Sequence, residues 1–203
     1  MKTLNAFGHK VLHAHCTIPE LYTNDDFVFG IQTVFELAEL KTRNIESPNL
    51  LLEGSGLTTE VIPYLGPANL SGSADLNKWI KQECAEFFNV DVKRVKISTS
   101  WMNKLNYGSQ GRCHNHKGSE TLGPDPTAVA IFYQTNPVNG SDLIFIQDGE
   151  YGKYHTDYPE YEKLYFTPTT GDLVVHDPSM WHAIGEHRSQ DPRICLVYHI
   201  DVI

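Results

Sequence analysis

A chain of 203 residues can bury a sizeable core, and 40% hydrophobic with 20% charged residues is ordinary globular composition, which excludes a disordered, collagenous or coiled-coil protein. Sixteen Lys and Arg against 25 Asp and Glu leave a formal net charge of −9, which argues against nucleic acid or an anionic lipid surface as partner. The longest apolar run, residues 128–133, falls far short of the roughly 20 residues of a membrane helix, and the first 15 residues lack the apolar stretch of a secretory signal, so a cytoplasmic location is expected.

In chain order, Phe27, Ile31, Val34, Phe35, Ala38 and Leu40 recur at three- and four-residue steps and predict a helix over residues 26–43 with one apolar face. Residues 45–73, rich in Gly, Pro, Ser and Asn, read as an extended connection with short strand or turn pieces. Ser73 stands where it can cap a second helix, whose buried side is Leu76, Trp79, Ile80, Ala85, Phe87 and Phe88 and whose end is near Asn89. The period then changes from 3.6 to 2. Val95, Ile97, Thr99 and Trp101 alternate with Lys96, Ser98, Ser100 and Met102, as in a half-buried strand. Further strands are expected over 112–117, 127–135, 141–147, 164–167, 172–176 and 193–202, separated by Gly and Pro clusters. The expectation is a single domain, with a helical and irregular part over 1–91 and a β core over 92–203, built as an antiparallel sandwich or open barrel backed by helices. Four cysteines without a CxxC pair are expected to be reduced thiols.

The chemistry-bearing pattern lies among ten histidines. On a strand, His114 and His116 of RCHNHKGSE project to one face, so both imidazoles can reach one metal ion. A third ligand is available in His182 of GDLVVHDPSMWH. Beyond it, Arg193, Cys195, Val197 and His199 share one face of the last predicted strand. An arginine in such an apolar run is costly to bury without an anion, so it either faces solvent or meets something negative, and a dicarboxylate would satisfy it bidentately.

The pieces STSWMN (98–103), HNHKGS (114–119), AVAIFYQ (128–134), GDLVVHDPSMWH (171–182) and Arg193, eleven residues after His182, resemble in order and spacing the 2-oxoglutarate- and Fe(II)-dependent oxygenases of the prolyl-hydroxylase-like kind, particularly a small bacterial and phage group. The resemblance implies a double-stranded β-helix, a jelly-roll or cupin-like fold that is mainly β with flanking helices. It also implies Fe(II) held by His114, His116 and His182, with His116 where many relatives have Asp or Glu. Arg193 would bind the far carboxylate of 2-oxoglutarate, and Asn103 and Tyr133 would line the co-substrate pocket. The implied reaction consumes O2, hydroxylates a C–H bond of a protein residue or small molecule, and releases succinate and CO2. The sequence departs from the family pattern in three places. HKGS replaces HPGS, AVAIFY lacks the Ser-Gly of SGVYY, and Cys195 stands where the family places a hydroxyl.

Competing readings use the same residues. Glu120 completes HxHxxxE, which resembles the first motif of cupins and would make it a metal ligand of an enzyme that does not use 2-oxoglutarate. His155 and Asp157 spell HxD inside 147–163, a stretch crowded with Tyr, Gly and charge that reads as a surface loop. His13 and His15 form a second HxH, read as strand decoration. His176 and Asp177 face opposite ways, His187 and His199 read as a surface and a satisfied core residue, and Trp101 and Trp181 as packing residues. A metal-free β-sandwich used as a binding module is the reading outside enzymes.

Overall fold

The computed structural model describes residues 1–42, 52–54, 56–59, 65–118, 124–147 and 162–203. Its elements are β1 (Lys2–Ala6), β2 (His9–His15), α1 (Glu20–Thr23), α2 (Asp25–Thr42), β3 (Leu52–Glu53), β4 (Leu57–Thr58), α3 (Ala74–Phe88), β5 (Val95–Leu105), β6 (Gln110–His114), β7 (Ala128–Thr135), β8 (Leu143–Ile146), β9 (Lys163–Phe166), β10 (Asp172–His176), β11 (Trp181–Ile184) and β12 (Arg193–Val202).

The strands form two antiparallel sheets, a larger one in the order β1-β2-β10-β7-β12-β5-β4 and a smaller one in the order β3-β6-β11-β8-β9. From β5 to β12 the chain passes repeatedly between the sheets, with β8 and β9 paired in the smaller one, and this winding is that of a double-stranded β-helix. The protein is accordingly mainly β with flanking helices.

Period-2 alternation divides the larger sheet between two cores. Ala128, Ala130 and Phe132 of β7 point to the side where Phe27, Ile31 and Phe35 of α2 and Leu76 and Ile80 of α3 are buried. Val129, Ile131 and Tyr133 point the other way, toward Leu143 and Phe145 of the smaller sheet. A strand covered on both faces must be apolar at every position, which explains the unbroken run that β7 contains. The helices are set by local signals. Asn24 Oδ1 accepts the Phe27 N–H at 3.0 Å at the start of α2, and α3 ends at Asn89, which takes a left-handed φ of 54°.

Several sequence expectations are corrected. The N-terminal part is not only helical and irregular, because β1 and β2 form a hairpin that joins the larger sheet through β10. Ser73 stands at the N-cap of α3 as expected, but its side chain makes no capping hydrogen bond; the hydroxyl donates to the Leu70 carbonyl at 2.7 Å instead. The strand expected over 112–117 spans Gln110–His114, so His116 lies just past its end. A strand not expected at all, β11, carries His182. His187 is buried rather than on the surface, with Nε2 donating to the Asp191 carbonyl at 2.8 Å. The four cysteines are free and buried. Glu120, His155 and Asp157 lie outside the described residues. Among the described residues, no helix is long and apolar enough to cross a membrane.

Candidate metal centre and co-substrate pocket

Three imidazoles converge between the sheets. His114 closes β6 and lies directly opposite His182 on β11, so the two side chains leave the smaller sheet on the same face, with ring centroids 4.4 Å apart. His116 follows the strand and is tied back by its N–H, which donates to the Pro178 carbonyl at 2.9 Å. Its ring stacks on that of His182 at 8° between planes, and their Nε2 atoms are 3.4 Å apart. One nitrogen from each of the three rings falls within 4.8 Å of the others.

The hydrogen bonds on the far side of each ring determine which nitrogen is free. His114 Nδ1 lies 2.8 Å from the Arg112 carbonyl, and His182 Nδ1 lies 3.1 Å from the Met180 carbonyl. A carbonyl only accepts, so both rings carry their proton on Nδ1 and present an Nε2 lone pair to the centre. Burial lowers the pKa of His114, and burial together with the neighbouring imidazoles holds His116 and His182 well below the usual histidine range. The rings are therefore neutral, the state in which imidazole ligates a metal. Two nitrogens about 2.1 Å from one ion are separated by roughly 3.0–3.4 Å for bond angles of about 90–110°, and the spacing of His116 and His182 falls there. The donor set fits a divalent transition metal.

Two further histidines join the cluster that sequence reasoning had set aside. His199 on β12 has Nε2 3.1 Å from His116 Nδ1, and the ring of His176 on β10 lies 4.8 Å from that of His182. Burial pulls both down to about 4. Trp101 packs directly against the cluster, its ring 5.0 Å from that of His199 and 5.7 Å from that of His116. A signal for His199 was present. It shares the strand face of Arg193, so an Arg193 turned toward the centre brings His199 with it.

Arg193 is turned inward. It is 1% exposed, and its Nε and Nη1 meet no hydrogen-bond partner among the described residues. The guanidinium lies 4.9 Å from the centre of the Tyr133 ring, and the Tyr133 hydroxyl is also without a hydrogen bond among the described residues. Burial raises the Tyr133 pKa, with Arg193 opposing it in part, so the phenol keeps its proton and can donate. Arg193, Asn103, His114, His116 and His182 line one cavity. Asn103 and Cys195 face each other across β5 and β12, which puts the thiol into the same cavity.

Comparisons with known proteins agree with this architecture. Residues 99–199, about half of the chain, match the family model described as "Putative 2OG-Fe(II) oxygenase". No curated protein matches the sequence. A prolyl-4-hydroxylase from Pseudomonas putida superposes with a TM-score of 0.57 at 12% identity, covering 96% of this chain and 94% of that one. The non-heme alpha-ketoglutarate-dependent carbocyclase SnoK of nogalamycin biosynthesis gives 0.60 at 14% identity, covering 94% and 79%. HygX from Streptomyces hygroscopicus, solved with nickel, 2-oxoglutarate and hygromycin B, gives 0.53 at 9% identity, covering 95% and 82%. These likenesses establish the shared double-stranded β-helix. The family match over the segment from β5 to β12 makes this chain a member of the 2OG-Fe(II) oxygenase family, enzymes whose cofactor is Fe(II) and whose co-substrate is 2-oxoglutarate.

Proposed function

We propose that His114, His116 and His182 hold Fe(II) through their Nε2 atoms and that Arg193 receives the far carboxylate of 2-oxoglutarate, with Asn103 and Tyr133 lining the pocket. The observation that carries this reading is the buried guanidinium with unpartnered donors, which opens on the same cavity as the three imidazoles. An uncompensated buried charge is strongly destabilising, so its presence points to an anionic occupant. Three neutral imidazoles would leave the charge of a divalent metal uncompensated, and a dicarboxylate reaching from the metal to Arg193 brings negative charge to both ends. The Tyr133 hydroxyl is available as a further donor to that carboxylate.

When bound, Fe(II) and 2-oxoglutarate supply the oxidative decarboxylation that releases succinate and CO2 and directs O2 to a C–H bond. The protein's own contribution is positional. The apolar walls between the sheets exclude water, the Nδ1 partners orient the imidazoles, and Arg193 sets the direction of the co-substrate. The substrate would be a protein residue or a small molecule, and residues 1–203 would work as one oxygenase domain, since β1 and β2 extend the same sheet as β12.

Visible absorption of anaerobic protein loaded with Fe(II), before and after 2-oxoglutarate, tests the proposal without a known substrate. A weak charge-transfer band that appears with wild type and is missing in His182→Ala is expected. Bound iron with no band on adding 2-oxoglutarate would overturn it.

A further inference from the structure

We propose that His199 is a positioning residue for the metal: it accepts a hydrogen bond from Nδ1–H of His116 and thereby holds the Nε2 lone pair of His116 toward His114 and His182. The inference rests on the reading of those three residues as ligands and adds a residue to it.

The argument starts from tautomers. An imidazole can ligate through Nε2 only if its proton sits on Nδ1, whereas a carboxylate in the same place would need no such arrangement. For His114 and His182 a backbone carbonyl fixes the proton, and backbone is present whatever side chains surround it. His116 differs, because its Nδ1 meets a side chain, His199 Nε2 at 3.1 Å. The tautomer of the third imidazole therefore depends on one replaceable residue, 83 positions further along the chain.

The surroundings of His199 suit this task. It is 1% exposed and lies opposite Thr99 on β5 and Val129 on β7. The indole of Trp101 meets it edge-on at 5.0 Å, which limits rotation of the ring. Its backbone carbonyl accepts from the Ser98 hydroxyl at 3.4 Å, which ties β12 to β5 at that point. Val197 and Val129, its neighbours on the same face, are apolar and fully packed. A residue kept there for packing alone could be apolar too, and a buried imidazole is expensive unless it is hydrogen-bonded. The bond to His116 supplies that compensation and aligns the third ligand. Partners of this kind, one shell outside a metal ligand, typically change metal affinity by about 10–100-fold when removed.

The experiment uses the purified full chain and Co(II) as probe. Affinity is measured by competition with a chelator, and the ligand field is read from the visible spectrum. His199→Gln, whose amide oxygen can accept from His116, is compared with His199→Phe, which fills the space and accepts nothing. Phe is expected to weaken Co(II) binding about 10–100-fold and alter the spectrum, and Gln to stay within about threefold of wild type. Melting temperatures in chelator check that both variants fold. Wild-type affinity in the Phe variant, or equal losses in both folded variants, would overturn the positioning role. A long-range proton–nitrogen NMR spectrum of metal-free wild type decides the matter even if the variants do not fold: His116 protonated at Nδ1 with Nε2 of His199 unprotonated supports the proposal, and His116 protonated at Nε2 overturns it. His182→Ala separates the two levels of inference. If it binds Co(II) as well as wild type, the metal reading fails and this proposal with it. If it loses the metal while His199→Phe does not, only the role of His199 fails.

Discussion

His114 and His182 stand directly opposite one another across the β6–β11 pair, and beyond a shift of register Gly111 stands against Ile184. The spacing of the two imidazoles is therefore controlled by how closely these short strands approach. A Cβ at position 111 would come within 2.9 Å of Cβ, Cγ1 and Cδ1 of Ile184, closer than side chains pack, and because the rooted Cβ is among them, turning the tip of the side chain away does not relieve the clash. Gly111→Ala is expected to cost about 1–3 kcal/mol and to weaken divalent-metal binding by spreading the strands. Chemical denaturation and a Co(II) titration of the variant check the two effects together.

His182→Ala removes one of the three proposed Nε2 ligands and leaves the other two intact. Fe(II) affinity is expected to fall more than 100-fold, well beyond the roughly 10–100-fold typical of residues outside the ligand shell. Conversion of 2-oxoglutarate to succinate should cease. Anaerobic calorimetry measures the first effect, and succinate quantification the second.

Arg193→Met yields a prediction of opposite sign for the apo and loaded protein. Removing a buried guanidinium with two unpartnered donors takes away an uncompensated desolvation cost, so the free protein is expected to gain about 1–3 kcal/mol. The stabilisation that 2-oxoglutarate confers in the presence of an inert divalent metal should vanish. Thermal melts of both proteins with and without 2-oxoglutarate reveal the crossing.

Asp172 links the N-terminal hairpin to β10 and makes stability depend on pH. Burial alone would raise its pKa. The Thr169 N–H and hydroxyl, at 2.7 and 3.0 Å from Oδ2, together with His15 Nδ1 and His13 Nε2, at 2.9 and 3.1 Å from Oδ1, more than reverse this and hold it below the ordinary value. A carboxylate with a depressed folded-state pKa stabilises the fold fully above its unfolded value of about 3.9, and that contribution is lost as pH falls from there through the lowered folded value. Asp172→Asn should be less stable at neutral pH and should show a shallower loss across that acid window. Melting temperature against pH from 7 to 3 tests this.

Much of the architecture could be read locally. The periodicity of Phe27, Ile31 and Phe35 places α2, the alternation from Val95 to Met102 places β5, and the predicted last strand, residues 193–202, coincides with β12. The HxH spacing suggested that His114 and His116 could reach one metal ion and Arg193 that an anion could lie near it, and period 2 fixes which side chains share a face within a strand; the roles of His114, His116, His182 and Arg193 came from the family resemblance, and β6 in fact ends at His114.

That same rule does not say which strand lies alongside. The pairing of β2 with β10 joins His15 to Asp172 across 157 residues, and β11 is four residues long, with no alternation of its own to mark it. The assembly of His176 and His199 with the triad arises because β10, β7 and β12 are neighbours in one sheet, with both histidines opposite Val129. The local sequence determined the faces of the strands and the residue types able to bind a metal and an anion. Only the tertiary structure decided their neighbours, because strand order is selected by the summed burial of both sheet faces, a property of the whole chain rather than of any segment.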